Sequence, residues 1–547
     1  MSKKDSITVG AVPNEAPYIA NIEKSKLTDW KASHRIAFRI AFVFFVCLSV
    51  PNSLEWYKHV LSINWANLHY RDLYDVARFG SGISFFGNQL FGSSLYGYAN
   101  WIITLFISIL AGFIWTLVDS KRNPVPGEYN NLYYWLRVIV RYRAGIGIIG
   151  FGFTKLLPVQ MPYPSLGLLN TDFGDFTAQK IYWLSIGIVP WYQVFAGIVE
   201  VLAGALLFFR KTTLWGAALL FGALGDIVYV NFAYDGGVHG YSSYFVILAG
   251  FLLVPYIKPL YALLIKERPA VFSFYYPTFT HTWQKYARAG LKVGVFYVFL
   301  FLLFYLQFIN FKYDPYKQPS TAGIKKLRGN YAVTEFRVNN KAIPANPLDT
   351  IRWQEVTFEK WTTLTFKVNK PVPIDLSNGG GDPQRDINRT FEITGTAGGR
   401  QAFHYYADTV DQVLYLQDKY KKIPDRRNRV AGNTDNGAAS GFVEGRDKEP
   451  KNVESKKSWI SKEAWAHIGN EVDFIDPTAA STRRDRELAK APKNEKRKKM
   501  KLSYQTNDGR HVILTGTDEN NNSIYVVLDK VDRKYQISES TLVAGKY

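Results

Sequence analysis

The stretch RYRAGIGIIGFGFTKLLPVQ, residues 141–160, decides how this chain folds. It is apolar and glycine-rich enough to be a membrane helix, yet it carries Arg141 at one end and Lys155 near the other. Two similar runs follow: residues 183–209 hold Glu200, and residues 214–235 hold Asp226, Asn231 and Asp235. A charge inside hydrocarbon is costly unless it pairs or meets water, so each of these side chains is a functional candidate.

Outward from that region, apolar runs lie at 36–53, 101–118, 136–157, 182–209, 213–234, 242–265 and 290–310. Each is near or above the ~20 residues that cross ~30 Å of hydrocarbon. The expectation is an α-helical polytopic membrane bundle of about seven spans, residues 34–312, with the first span cut short by Pro51 and Asn52. Residues 1–33 are polar and lysine-bearing, and they lack the apolar core and small-residue cleavage site of a removable signal peptide. Lys121 and Arg122, Arg210 and Lys211, and the basic residues between Lys258 and Lys292 fall in alternate loops. The positive-inside rule then predicts a cytoplasmic N-terminus and a C-terminal part on the opposite face, the periplasmic side if this is the inner (cytoplasmic) membrane of a diderm bacterium. The aromatic loop 54–99 is expected outside, resting at the interface.

The chain has 547 residues, 47% of them apolar, and a mean hydropathy of −0.11, which leaves room for a sizeable part in water beside the spans. From residue 320 to 547, runs such as YAVTEFRV, LTFKVN, RTFEITGTA, QVLYLQ, KLSYQT, HVILTGT and IYVVLDKV alternate between Asn, Asp and Gly turns. That pattern predicts an all-β antiparallel domain, barrel-like and lipocalin-like or else a sandwich. A basic segment at 421–501, ending in APKNEKRKKMK, reads as a flexible insertion with one helix near 458–468. It is either solvated charge or a contact for anionic lipid, polymer or an acidic partner. The formal charge of +20 is accounted for largely by topology and this tract, so no nucleic-acid partner is expected. The lone Cys47 excludes a disulfide or CxxC chemistry within the chain.

Helical rise places Arg141 roughly 7 Å inside the inner boundary, Glu200 roughly 14 Å from it and Lys155 roughly 28 Å along, at the outer rim. Two clusters are expected: Arg141 with Glu200, and Lys155 with Asn231, Asp235 and the loop residues Asp175 and His239. Either could do chemistry or lock helices together. Asp226 has no evident partner, and it would matter only if it faced the bundle interior. Gly and Ala at three-to-four spacing in all three runs let helices approach closely, or leave a slot for a flat or prenylated ligand.

These residues resemble a family. RYRAGIGIIGFGFTKLLPVQMPYPSL, FGDF, WYQVFAGIVEVLAGALLFFRKTT and VNFAYDGGVHGYSS look like the long, Bacteroidetes-type members of the DoxX family over roughly residues 30–265. The matching positions include Arg141, Lys155, Gln160, Asp175, Glu200, Asn231, Tyr234 and Asp235. Phe151 and His239 depart from the pattern, standing where Tyr and Lys are usual. The resemblance implies a quinone-linked or other redox-associated subunit, with Glu200, Arg141 and Lys155 as candidate catalytic groups. Gln160, Asp175, Asn231, Tyr234, Asp235 and His239 are then candidate ligand-binding residues.

No CxxCH, cysteine cluster, dinucleotide fingerprint or facing His pair is present, so electrons would come from a protein partner. The eight histidines show no metal-ligand spacing, and no metal site is expected. Two alternatives stay open: a non-enzymatic envelope assembly protein whose β domain binds protein, glycan or lipid, and a carrier that takes a small apolar molecule into the barrel.

Overall fold

A computed structural model describes residues 30–79, 96–122, 128–272, 274–315, 317–372, 374–376, 385–419, 459–474, 476–477 and 497–537. Most of the 1–33 segment and most of the basic insertion at 421–501 lie outside the described residues.

The helical half is built from α1 (Ala32–Ser49), α2 (Leu54–Ser62), α3 (Tyr70–Ala77), α4 (Tyr96–Arg122) and α5 (Asn130–Leu156), then α6 (Leu166–Leu169) and α7 (Ala178–Gly187). The remainder is α8 (Pro190–Leu207), α9 (Thr213–Ala233), α10 (His239–Leu264), α11 (Thr282–Phe296) and α12 (Leu303–Tyr313), the last two joined through the π-helical turn Tyr297–Leu302. Among the described residues, six helical stretches are long and apolar enough to cross a membrane: Ala32–Ser49, Tyr98–Lys121, Pro190–Leu207, Arg210–Ala233, His239–Leu264 and Thr282–Tyr313.

The remaining expected span coincides with α5, which is 27 residues long but carries Arg137, Arg141, Arg143 and Lys155. It tolerates them because it is central: Leu136, Val140, Ala144, Ile148 and Ile149 are fully buried against neighbouring helices. The single run read at 182–209 is two helices, α7 and α8. The residue before a proline is biased away from helical geometry, and the chain breaks at Val189, ahead of Pro190 at the first turn of α8.

Glycines set the spacing between α5 and α8. A β-carbon on Gly197 would lie 2.2 Å from the Leu156 nitrogen, and one on Gly204 would lie 2.9 Å from the Gly145 carbonyl. The small residues are consumed by backbone-to-backbone contact. Along this seam they leave no slot for a ligand, whereas Gly222 and Gly225 of the third run have nothing within 4 Å of an added β-carbon.

The loop expected to rest at the interface does something else over its described part. Helix α3 penetrates the bundle, with Tyr70, Arg71, Asp72, Leu73, Tyr74, Asp75 and Ala77 all buried. It packs in one core with Ile149, Phe153, Phe208, Leu303 and Leu306.

The β half contains β1 (Gly329–Val338), β2 (Lys341–Ala342), β3 (Glu355–Phe358), β4 (Thr363–Lys367), β5 (Arg400–Asp408), β6 (Val413–Asp418), β7 (Lys499–Gln505), β8 (His511–Thr517) and β9 (Ser523–Val531). Neighbours pair antiparallel in sequence order apart from the short β2 arm, and β1 pairs with β9. The result is a closed eight-stranded up-and-down barrel, a form that leaves no free sheet edge.

Alternate residues point inward, as strand geometry requires. Val512 and Leu514, Leu414 and Leu416, and Ile524, Val526 and Leu528 meet an aromatic stack in which Trp353 lies 3.9 Å from Phe366, and Phe366 5.6 Å from Phe403. Side chains fill this interior, so the carrier alternative loses its cavity. The expected strand RTFEITGTA is instead a buried run of turns laid outside the barrel, tied in by bridges from Thr394 to Asp375 and from Thr396 to Phe176. The helix expected near 458–468 is present as α13 (Lys462–Ile468), its amino end capped by Ser461, whose hydroxyl accepts from the Ala464 N–H at 3.1 Å.

Buried polar contacts key barrel and bundle together. Glu359 accepts from the N–H groups of Leu166 (3.0 Å) and Gly167 (2.7 Å), and Arg400 donates to the Asn170 carbonyl at 3.0 Å. Lys180 donates to the Phe391 carbonyl, and at the end of α12 Arg389 pairs with Asp314.

Candidate functional site

The candidate residues of the three polar runs do not assemble as their order suggests. Lys155 Nζ donates to Glu200 Oε1 at 2.6 Å, and both side chains are buried. The expected Arg141–Glu200 pair is therefore replaced by Lys155–Glu200. Lys155 sits in the last turn of α5 and its side chain is long enough to reach back to α8, so it does not snorkel to the rim. Glu200 Oε2 is buried without a hydrogen-bond partner. The pair joins α5 to α8 beside the Gly152 and Gly197 contacts.

Arg141 belongs elsewhere. Its Nη1 lies 3.5 Å from Thr213 Oγ1, in a cleft shared with Arg137 and Arg210. Fourteen residues of α5 separate it from Lys155, about 21 Å of helix.

The expected outer cluster is not gathered around Lys155. Asn231 is a turn clamp: its Nδ2 donates to the Ile227 carbonyl at 2.7 Å and its Oδ1 accepts from the Val238 N–H at 3.4 Å. Asp235 is exposed at a positive φ of 52°. Tyr234 packs on Tyr182 with ring centroids 5.0 Å apart, and His239 stacks on Phe232 at 4.4 Å and on Tyr98 at 5.5 Å. Gln160 returns to Thr154, its side-chain oxygen 3.4 Å from the hydroxyl. Asp175 serves the junction, its carbonyl accepting from the Ala397 N–H at 2.7 Å and its carboxylate lying over Gly398. Asp226 is exposed on α9 rather than turned into the bundle.

A different buried polar group forms where α3 enters. Arg143 Nε donates to the Tyr244 hydroxyl at 2.8 Å and Nη1 to the Ala77 carbonyl at 2.7 Å, while its guanidinium lies 3.7 Å over Phe79. Arg78 donates to the Tyr74 hydroxyl and lies 4.0 Å over the Phe151 ring and 5.6 Å over Tyr241. Neither arginine has a carboxylate partner among the described residues. Arg78 is 6% exposed, yet among the described residues its Nε and Nη2 have no acceptor, and neither does Arg143 Nη2.

Aromatic faces stabilise a guanidinium. They do not satisfy its N–H groups, which are costly to bury unpaired. Donors aimed into an aromatic niche suit a flat ligand that presents carbonyl or anionic oxygen. Sequence reasoning missed this site because Arg78 lies outside every apolar run; the signal that could have found it was the dense charge of YRDLYDVAR between two spans.

Titration behaviour on the barrel side follows burial. Burial pushes the Glu359 carboxyl up to about 7, and it pushes the His404 imidazole down to about 3. It also holds the Lys180 ammonium well below its ordinary value, helped by the charge of Lys317. Among the described residues, Asp408, Asp411 and His467 lie close enough to share a cation. Asp408 is already engaged there, its Oδ1 accepting from the N–H groups of Val410 and Asp411 and lying 3.0 Å from His467.

Fold and site together define a membrane-spanning helical bundle carrying a closed, side-chain-filled barrel. No family model, no curated protein and no solved structure matches the chain.

Proposed function

We propose that this chain is an inner-membrane, quinone-linked subunit of a redox assembly, with its N-terminus cytoplasmic and its barrel periplasmic. The head-group niche is at Arg78 and Arg143 rather than at an Arg141–Glu200 pair. One observation carries the reading: a buried guanidinium, Arg78, keeps two N–H-bearing nitrogens without acceptors among the described residues while facing Phe151 and Tyr241. The resemblance to the DoxX family and the alternation of basic loops support it.

The residues fit the group. A quinone, when bound, supplies two-electron, two-proton chemistry. The free Arg78 and Arg143 nitrogens would donate to its carbonyl oxygens, and Tyr74, Phe151 and Tyr241 would pack against its ring. The buried helices exclude water, and Lys155–Glu200 fixes α5 against α8 without entering the niche. Electrons come from a protein partner.

Quinone in lipid extracts of the purified protein tests this. The wild-type chain and R141Q are expected to retain it and R78Q to lose it. Equal retention by R78Q contradicts the assignment.

A second reading is a non-enzymatic envelope platform. It is favoured by the way Glu359, Lys180, Arg389 and Arg400 key a side-chain-filled barrel onto the bundle. A protein partner that survives R78Q and is lost on deletion of residues 320–547 would favour it over the first.

A further inference from the structure

At the end of the bundle away from the barrel, α5, α9, α10 and the loop before α11 border a small open cleft. Arg137, Arg141 and Arg210 line it with Tyr134, Tyr256 and Tyr276, and no lining residue is acidic. Arg137 reaches the Tyr256 hydroxyl at only 3.4 Å, Arg141 reaches Thr213 at 3.5 Å, and Arg210 lies 3.8 Å over the Tyr276 ring. The Nε atoms of Arg137 and Arg141 are buried without acceptors. Lys292 is close enough to feel the charges of Arg141 and Arg210.

Three guanidiniums around one cleft repel one another, and among the described residues none of the three forms an ion pair. The arrangement is explained if an anion completes it. Planar guanidinium forks match tetrahedral oxyanions better than any other side chain. Leu252 and Val138 give the same cleft an apolar wall.

We propose that this cleft is a phosphate-group binding site, filled by the headgroup of an anionic phospholipid. Basic pockets between helix ends are suited to such headgroups, and apolar lining beside the cations accommodates the chains below. The site is separate from the Arg78 niche, and it stands or falls without it.

The test uses the full chain, purified and delipidated in detergent, with its thermal midpoint followed as phosphatidylglycerol, phosphatidylcholine or inorganic phosphate is added. Phosphatidylglycerol is expected to raise the midpoint saturably and phosphatidylcholine to leave it unchanged. In R141Q/R210Q the half-saturating concentration should rise by about tenfold or more, because charged hydrogen bonds are lost. K266Q, which removes an exposed cation beyond α10, should behave as wild type.

If inorganic phosphate alone saturates the shift and competes with the lipid, the phosphate chemistry holds and the source is a soluble phosphate ester. An R141Q/R210Q response equal to wild type, or an equal loss in K266Q, overturns the site. Without lipid, R141Q should melt at or above wild type, since it removes a like charge. A lower midpoint would mean that the guanidinium is structural, and would also overturn the proposal.

Discussion

Lys155 Nζ stands 2.6 Å from Glu200 Oε1, a buried ion pair that joins the last turn of α5 to the middle of α8. Breaking such a pair from one side leaves an uncompensated buried charge and costs about 3–5 kcal/mol, whereas replacing both partners with apolar groups is often neutral. K155M and E200L should each lower the thermal midpoint and the monodisperse yield sharply. The double variant should recover most of the loss, while simply additive losses would show that the two groups act apart.

The α5–α8 seam should be intolerant of bulk. G197L places atoms where the Leu156 backbone already lies, and a loss of about 1–3 kcal/mol or more is expected from overpacking. G225A, on α9 with open space around it, should be neutral or stabilising by up to about 1 kcal/mol. Equal thermal midpoints for the two variants would contradict the packing described.

Barrel stability should depend on pH in two opposed ways. His404 is neutral in the fold down to about 3, while its ordinary value is 6.5, so as pH falls through that window only the unfolded chain takes up the proton. Its contribution therefore destabilises the fold towards acid, by at most about 1.4 kcal/mol per pH unit. Glu359 works the other way, because its folded carboxyl takes a proton near pH 7 and the unfolded one near 4.5. H404N should flatten the acid loss of unfolding midpoint and E359Q should steepen it. The reverse order would refute both assignments.

The junction should fail at Arg389, which is fully buried with Asp314 and Asp386 beside it. R389A leaves two carboxylates without their cation, and limited proteolysis should then cut between α12 and β1 and release the barrel. R389K should not restore resistance, because an ammonium cannot replace the fork that also reaches the Gln318 carbonyl and the Ser320 hydroxyl. Intact R389A under conditions that also spare wild type would contradict this.

Much of the architecture was legible because it rests on local pattern. Apolar run length marked the spans, and period-two alternation marked β1, β4 and β6 to β9. β3 was missed because EVTF is only four residues long, and β5 because RQAFHYYAD does not alternate polar and apolar residues. Depth along a helix put Lys155 in the last turn of α5, but Arg141 stands near the middle of that helix, because α5 begins at Asn130, earlier than the apolar run. Depth could not say that Glu200 would choose the lysine, since a long flexible side chain covers several ångströms of rise. Asn231, Tyr234 and His239 drew attention as polar or departing residues near a rim, yet they clamp a turn and stack on rings. Arg78 escaped because its helix enters the bundle from a loop, a tertiary event that no run of apolar residues announces.

Saturable binding of a short-chain quinone to the full chain in nanodiscs, followed by quenching of tryptophan fluorescence, tests the central claim most directly. Wild type and R141Q are expected to bind alike, and R78Q to lose saturable binding. Undiminished binding by R78Q, or a loss confined to R141Q, would contradict a head-group niche at Arg78.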